Sequence, residues 1–340
     1  MNAPVGSPLV HDPHYFLTRS LEPIRPFLDD PKVVEIAINK PGHVYVERFG
    51  AEHMEHHEIA ELTAREIENI GERVAAATNQ YLNSANPILS GALPTGERIQ
   101  VVLPPAAPEG GSITIRKQVV QNFTLEDYRD NGSLDKVSVA VGGLSDIDRE
   151  LIGYLRNEEI YKFIHTAITK RVSILISGGT SSGKTTFLNA CLNSVNLNER
   201  IITLEDTREL FPPQKNSVHL LASKGGQGTA NVTLQNLLES SLRMRPDRLF
   251  VGEIRGAEAF PFLQAINTGH PGSMSTLHSD SPNGAYERLV MMMVQSGMSS
   301  GLSREDLLSY IKMVIPIVIQ VNRNGGKRGV SEIFFARDEA

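Results

Sequence analysis

The stretch Gly178-Gly179-Thr180-Ser181-Ser182-Gly183-Lys184-Thr185 carries the residue types and spacing that most directly imply chemistry. Its glycines let consecutive backbone N–H groups curl around phosphate oxygens, where a side chain would block the approach. Lys184 places a positive charge on terminal phosphates, and Thr185 offers a hydroxyl to Mg²⁺. The pattern is that of a P-loop, and its context agrees. Val172–Ser177 is a near-continuous apolar run, as a parallel strand covered on both faces requires, a helix pattern follows the loop, and Thr186 is counted with the phosphate-binding residues. The plainer alternative, a glycine-rich turn ahead of a helix, does not call for strand, loop and helix in register. Cys191 on that helix reads as a small core residue rather than a nucleophile.

Binding phosphate is not hydrolysing it. Hydrolysis needs carboxylates for Mg²⁺ and for the attacking water, and positive charge for the transition state. Two segments supply carboxylates. Arg248-Leu249-Phe250-Val251 leads into Gly252-Glu253, a Walker B-like edge that lacks the usual Asp and has Glu253 one place beyond Gly252. Thr203-Leu204-Glu205-Asp206-Thr207-Arg208-Glu209 is an acidic cluster at a strand's carboxyl end, the edge where ligands bind in open α/β sheets. Either segment alone also fits a solvated acidic turn. Both, following a phosphate-loop strand, point to a nucleotide site.

The elements that must position these residues follow from hydrophobic periodicity. Residues 1–30, rich in Pro and His, read as a flexible or lightly docked segment. Val34, Ile36 and Ile38 share one strand face, Asn39-Lys40-Pro41-Gly42 turns the chain, and Val44 and Val46 continue a hairpin. Thr63 with Glu66 predicts a capping box, opening a helix to about Tyr81 with Ile67, Ile70 and Val74 on one face. Strands around Arg98–Leu103 and Ser112–Lys117 complete a small α+β domain over 31–120. Residues 121–150 read as a linker or hinge, with turn signals at Asn131-Gly132-Ser133 and Gly142-Gly143. From 151 to 340, strands at Val172–Ser177, Ile201–Leu204, Val218–Leu221, Leu249–Gly252 and Ser273–Leu277 alternate with helical segments. That alternation predicts a doubly wound α/β domain. Gly225-Gly226-Gln227-Gly228 reads as an exposed flexible loop, and Met313–Val321 as a buried strand.

Composition narrows the function. The 340 residues carry a net charge of −6, which argues against a whole-chain basic surface for nucleic acid or anionic lipid. One cysteine excludes an internal disulfide and any four-cysteine zinc module, and points to a reducing compartment. The start of the chain lacks the features of a signal peptide. The most apolar stretch, Met313–Val321, is about half of the roughly 20 residues that a helical span needs. Membrane contact is therefore expected to be peripheral.

The whole constellation resembles the type II/type IV secretion ATPases, also called traffic ATPases. Four boxes match in order and spacing: the Walker A Gly178–Thr185, the Asp box Thr203–Glu209, the Walker B segment Leu242–Arg255 and the His box Gly269–His278. Pro94–Gln100 and Ile113–Arg116 are most similar to the soluble ATPases of conjugative and pathogenic type IV secretion systems. The resemblance implies a C-terminal RecA-like P-loop NTPase domain, a smaller N-terminal α+β domain and a homohexameric ring. It implies that ATP with Mg²⁺ is hydrolysed to power pilus assembly and substrate transfer. The expected surroundings are other secretion ATPases and inner-membrane components, on the cytoplasmic face of the inner membrane.

Roles carry over onto matching positions. Two family arginines that reach over the nucleotide map onto Arg98 and Arg116. A period of two agrees, since it turns each away from its apolar neighbours, Ile99 and Val101 or Ile113 and Ile115. Glu253 resembles the residue that orients or activates water, in part through Mg²⁺, and Glu209 competes for that role. His270 and His278 match the His-box histidines, with His278 suited to sensing the γ-phosphate or coupling neighbours. They make a poor zinc pair, lying eight apart without a third ligand. Arg243, Arg245 and Arg255 flank the Walker B strand, and any of them could act across subunits. Rival readings are a pilus-type retraction or assembly ATPase, a RecA-like nucleic-acid motor and a non-hydrolysing switch. Direct nucleic-acid binding is not expected to dominate, given the acidic charge and 6% aromatic content.

Overall fold

The computed structural model describes residues 14–118, 124–135, 137, 142–223, 229–297 and 301–338. The chain divides into two compact units, Met1–Gln118 and Val119–Ala340.

The first unit opens with α1 (Tyr15–Ser20), a 3₁₀ turn at Glu22–Ile24 and α2 (Arg25–Asp29). Leu17, Leu21 and Ile24 are buried in its core, so the described part of the expected flexible segment is docked helix. Pro23 and Pro26 both stand in the first turn of their helices, where a missing N–H has no partner to lose. Then come β1 (Val33–Lys40), β2 (His43–Arg48), β3 (Glu55–Glu58), α3 (Ala64–Ala77), β4 (Ile88–Ala92), β5 (Arg98–Val102) and β6 (Ser112–Arg116). They make one six-stranded sheet in the order β3-β2-β1-β6-β5-β4. Every pairing in it is antiparallel. Lys40 pairs with His43, so the hairpin turns on two residues, Pro41 and Gly42, rather than four. Ile67, Ile70 and Val74 of α3 are fully buried in this core. Only half of the capping box forms. Thr63 accepts from the Glu66 N–H at 3.2 Å, while the Glu66 carboxylate accepts from Asn69 at 3.0 Å and lies 3.6 Å from Arg73.

The second unit begins inside the expected linker, with α4 (Leu125–Asp130) and α5 (Asp146–Arg156). Both carry complete capping boxes, Thr124–Asp127 and Ser145–Asp148. There follow α6 (Ile160–Thr169), β7 (Ile174–Ser177), α7 (Lys184–Leu192), β8 (Ile201–Glu205), β9 (Ser217–Leu221), α8 (Leu234–Ser241), β10 (Arg248–Val251) and α9 (Ala259–Asn267). The unit ends with β11 (Met274–Leu277), α10 (Pro282–Gln295), α11 (Arg304–Val314), β12 (Ile317–Asn324) and β13 (Lys327–Phe335). Its seven-stranded sheet runs β13-β12-β7-β11-β10-β8-β9. It is parallel except for the antiparallel edge strand β13. The apolar stretch Met313–Val321 is split rather than continuous strand. Pro316 disfavours helical backbone before it, Ile315 sits at φ −120° and ψ 82°, and the strand starts at Ile317. Gly225–Gly228 lies outside the described residues.

The amino end of the sheet is locked by charge. Arg248 is fully buried and donates to Glu199 twice, at 2.6 and 2.9 Å, and to the Ile168 carbonyl at 2.7 Å. Removing one partner leaves a buried charge uncompensated. Glu199→Ala is therefore expected to destabilise the chain by about 3–5 kcal/mol, read by urea unfolding. A loss below 1 kcal/mol would show that the guanidinium is satisfied without it.

Candidate active site

Four neighbouring strands bring their carboxyl ends to one edge, and each contributes to a cavity of about 430 Å³. After β7, the loop supplies Thr180, Ser181, Ser182 and Gly183 and enters α7, whose first turn adds Lys184, Thr185 and Thr186. The loop's tight path demands its glycines. A Cβ on Gly178 would collide with the Val321 carbonyl oxygen and lie 2.5 Å from Ser182 Oγ, and Gly183 caps α7 at φ +99°. The opening N–H groups of a helix have no intrahelical acceptor, so the start of α7 is an anion-binding surface. Lys184 Nζ donates to the Gly178 carbonyl at 2.9 Å and the Gly179 carbonyl at 3.1 Å, which fixes the ammonium beside that surface. Burial pushes its pKa down, against the pull of Glu253.

The acidic side of the cavity comes from β8 and β10. Glu253, two places past β10, has a side chain only 15% exposed. Its Oε2 accepts from Arg255 Nε at 2.8 Å and also from Arg255 Nη2, while Arg255 Nη1 reaches Asp206 at 2.7 Å. Its Oε1 faces His278 Nε2 at 2.8 Å. The other ring nitrogen, Nδ1, lies 3.3 Å from Lys184 Nζ. Burial keeps His278 below the usual histidine range despite Glu253, with Lys184 and Arg255 acting in the same direction as burial. The ring's hydrogen-bonding contact is Nδ1 with the Lys184 ammonium; Nε2 is close to Glu253 Oε1 without hydrogen-bond geometry, and that oxygen has no hydrogen-bond partner among the described residues.

Glu209 also borders the cavity but is exposed, and its backbone is what the fold holds. Its N–H donates to Glu205 Oε1 at 2.8 Å and its carbonyl accepts from Asn189 at 2.8 Å. Glu205, to which the sequence reading gave no role, is the buried carboxylate of the acidic box. Its Oε1 also accepts from the Leu210 N–H at 2.9 Å, and its Oε2 has no hydrogen-bond partner among the described residues. Burial raises its pKa, opposed by those backbone donors. Arg328 of β13 is a second residue the motifs do not flag. It lies against Gly183 and lines the cavity, and no local pattern links it to a loop 145 positions earlier.

The structure separates the two His-box histidines. His270 precedes β11 and His278 follows it, so a strand's length divides them, and His270 does not line the cavity. The His270 ring contacts the Pro246 carbonyl at 2.9 Å through Nδ1, and burial lowers its pKa. Arg98 and Arg116 lie in the first unit, directly opposite each other across β5 and β6, and both are exposed. Of the three candidate cross-subunit arginines, Arg255 is committed to Glu253 and Asp206, Arg245 pairs with Asp247 at 2.6 Å, and Arg243 is exposed. Cys191 is buried, with its thiol pushed up to about 12, which makes it inert packing at neutral pH.

A glycine loop between a buried strand and a helix, with carboxylates on the adjoining strand ends, defines an α/β protein whose candidate site lies at its sheet's carboxyl edge. The chain belongs to the type II/IV secretion system protein family, whose pattern matches residues 18–320. It is similar to the type IV secretion system protein VirB11 of Bartonella quintana (strain Toulouse), 39% identical over 93% of this chain and 91% of the relative. Protein VirB11 of Agrobacterium fabrum is 34% identical over 94% of this chain and 93% of its own length. The VirB11 ATPase of the Brucella suis type IV secretion system, solved in complex with sulphate, has a TM-score of 0.89. It is 34% identical, with 96% of this chain and 97% of that one covered.

Proposed function

We propose that this chain is a Mg²⁺-dependent ATPase that works as a homohexameric ring and energises type IV secretion at the cytoplasmic face of the inner membrane. The observation that carries the reading is the junction of Lys184, His278 and Glu253, which puts an ammonium and a shielded carboxylate in one cavity. The VirB11 relatives and the sulphate-bound Brucella ATPase support the reading. Among the described residues no helix is long and apolar enough to cross a membrane.

In this reading the second unit is the RecA-like domain. Residues Gly178–Thr186 cradle the phosphates with backbone N–H groups, and Lys184 holds the β- and γ-oxygens. Glu253 orients the water that attacks the γ-phosphorus as the bond to the β–γ bridging oxygen breaks, and it takes up the water's proton. Mg²⁺, when bound, neutralises phosphate charge. Oxygen donors suit it here. Thr185, Glu253 and the Glu205 oxygen that lacks a partner would hold it, and a cation would relieve the penalty of Glu205's burial. His278 reports the γ-phosphate to Glu253, and His270 acts at the opposite sheet edge in coupling between subunits.

Arg98 and Arg116 are proposed to contact the phosphates. Like charges directly opposite in a sheet repel. Neither arginine forms a hydrogen bond or ion pair among the described residues, so the pair suits an external anion. Arg98→Ala or Arg116→Ala is expected to raise KM for ATP about tenfold and to leave thermal stability unchanged or slightly improved. Phosphate release, with mass by light scattering on the same samples, tests the whole. Turnover by a particle of about six chains supports the ring, and turnover only with single-stranded DNA would move the chain to the nucleic-acid motors.

A further inference from the structure

The edge of the first unit's sheet holds a cluster that the proposed ATPase does not use. His43 starts β2, and His56 and Glu58 lie on β3, the edge strand. His43 pairs with Glu58, and His56 pairs with Tyr45, two places along from His43. Alternation therefore puts all three side chains on one face, while Val44 and Val46 point into the core and are fully buried. His43 Nδ1 and His56 Nε2 are 3.0 Å apart, and one donor atom from each of the three residues falls within 4.8 Å of the others.

We propose that His43, His56 and Glu58 bind a divalent first-row transition cation, with Zn²⁺ the preferred ion. Two imidazole nitrogens on tetrahedral Zn²⁺, each about 2.0–2.1 Å from the metal, must sit roughly 3.3 Å apart. The observed separation needs to open by only a few tenths of an ångström. Two nitrogens and one carboxylate oxygen form the donor set of a site with an open fourth position, and they disfavour Mg²⁺ and Ca²⁺, which take oxygen ligands. The rings are already arranged. His43 stacks on His56 at 5.2 Å between centroids with 12° between planes, and the buried Tyr45 ring packs on His56 at 4.7 Å. Preorganised ligands lose less freedom on binding.

The cation would act as a clip. β3 has four residues, three exposed and one half-buried, so little apolar burial holds it to β2. A metal bridging the two strands links the folded state to metal occupancy, because the unfolded chain does not hold the three donors together. The partly exposed cluster exchanges freely with solvent, and the open position admits water or one further donor.

Calorimetric titration of the full chain, stripped with chelator and free of nucleotide, tests this with ZnCl₂. The expected result is one Zn²⁺ per chain at micromolar Kd, a rise of several degrees in Tm, and no effect of millimolar MgCl₂. Co²⁺ at the site should give the visible absorption of a tetrahedral ion. His56→Ala and His43→Gln should each weaken Zn²⁺ binding at least 100-fold, and Glu58→Gln about tenfold, with unliganded Tm unchanged. Absence of Zn²⁺ binding, or binding undiminished in His56→Ala and His43→Gln, would overturn the assignment.

Discussion

Lys184→Met is expected to lower ATP turnover by about 10³-fold while the chain stays folded. Losing one preorganised donor to a developing oxyanion costs about 10²–10³ in rate, and losing a cation on a transferring phosphoryl group costs 10³–10⁵. The lysine's position puts it in that range. Its side chain is 8% exposed, its Nζ is anchored by the Gly178 and Gly179 carbonyls, and His278 Nδ1 completes its surroundings. The ammonium is thus held in place before the nucleotide arrives, and no ordering cost falls on the reaction step. Those carbonyls also raise a competing role, a brace for the loop. A brace would lose stability on substitution, whereas a phosphate ligand loses turnover and affinity. Measured together, phosphate release, binding of a fluorescent ATP analogue and Tm separate the two. Turnover within tenfold of the natural chain, with Tm down by ten degrees, would make Lys184 a structural residue.

How much of this was readable beforehand depended on how local each signal is. The strand–loop–helix unit at Gly178–Thr185 was legible because its glycines, lysine and hydroxyl are contiguous in the chain. The parallel strands were legible because burial on both faces leaves continuous apolar runs such as Ile174–Ser177. β3 was not, since Glu55-His56-His57-Glu58 has no apolar alternation and forms only because β2 offers its edge. β4 was missed for a related reason. Ile88–Ala92 contains Ser90 and Gly91, and its pairing with β5 supplies what propensity does not. The 3₁₀ turn at Glu22–Ile24 and the helix at Arg25–Asp29 each hold a proline, whose harmless first-turn position shows only once the element does.

The site shows the same boundary. One motif contains both His270 and His278, but a parallel strand runs between them and sends them to opposite edges of the sheet. The acidic box names Glu205, Asp206 and Glu209 alike. Tertiary packing alone sorts them: Glu205 buried under backbone donors, Asp206 on Arg255, and Glu209 exposed. Arg328 arrives from the far end of the chain because β12 pairs with β7 and β13 follows it back along the edge.

Glu253→Gln against Glu209→Gln is the comparison that assigns the water-activating carboxylate. Glu253→Gln is expected to cut turnover by 10²–10⁴, the contribution of a well-placed general base, while nucleotide binding persists. Glu209→Gln should cost less than tenfold. The difference rests on preorganisation. Glu253 is largely shielded, its Oε2 is held by Arg255, and its Oε1 faces His278, so the carboxylate has one orientation. Glu209 offers an exposed side chain, and what the fold fixes is its backbone, through Glu205 and Asn189. A glutamine at 253 keeps the shape and an acceptor oxygen but neither the charge nor the proton affinity. ATP should therefore accumulate uncleaved on the protein. Quenched single-turnover assays with radiolabelled ATP, beside equilibrium binding, read both quantities. Arg255→Ala provides the internal control: it leaves the carboxylate in place but frees its orientation, and a loss of roughly tenfold, intermediate between the two glutamate variants, is expected. If Glu209→Gln abolishes turnover and Glu253→Gln does not, the proton goes to Glu209, and Glu253 becomes an anchor for Arg255.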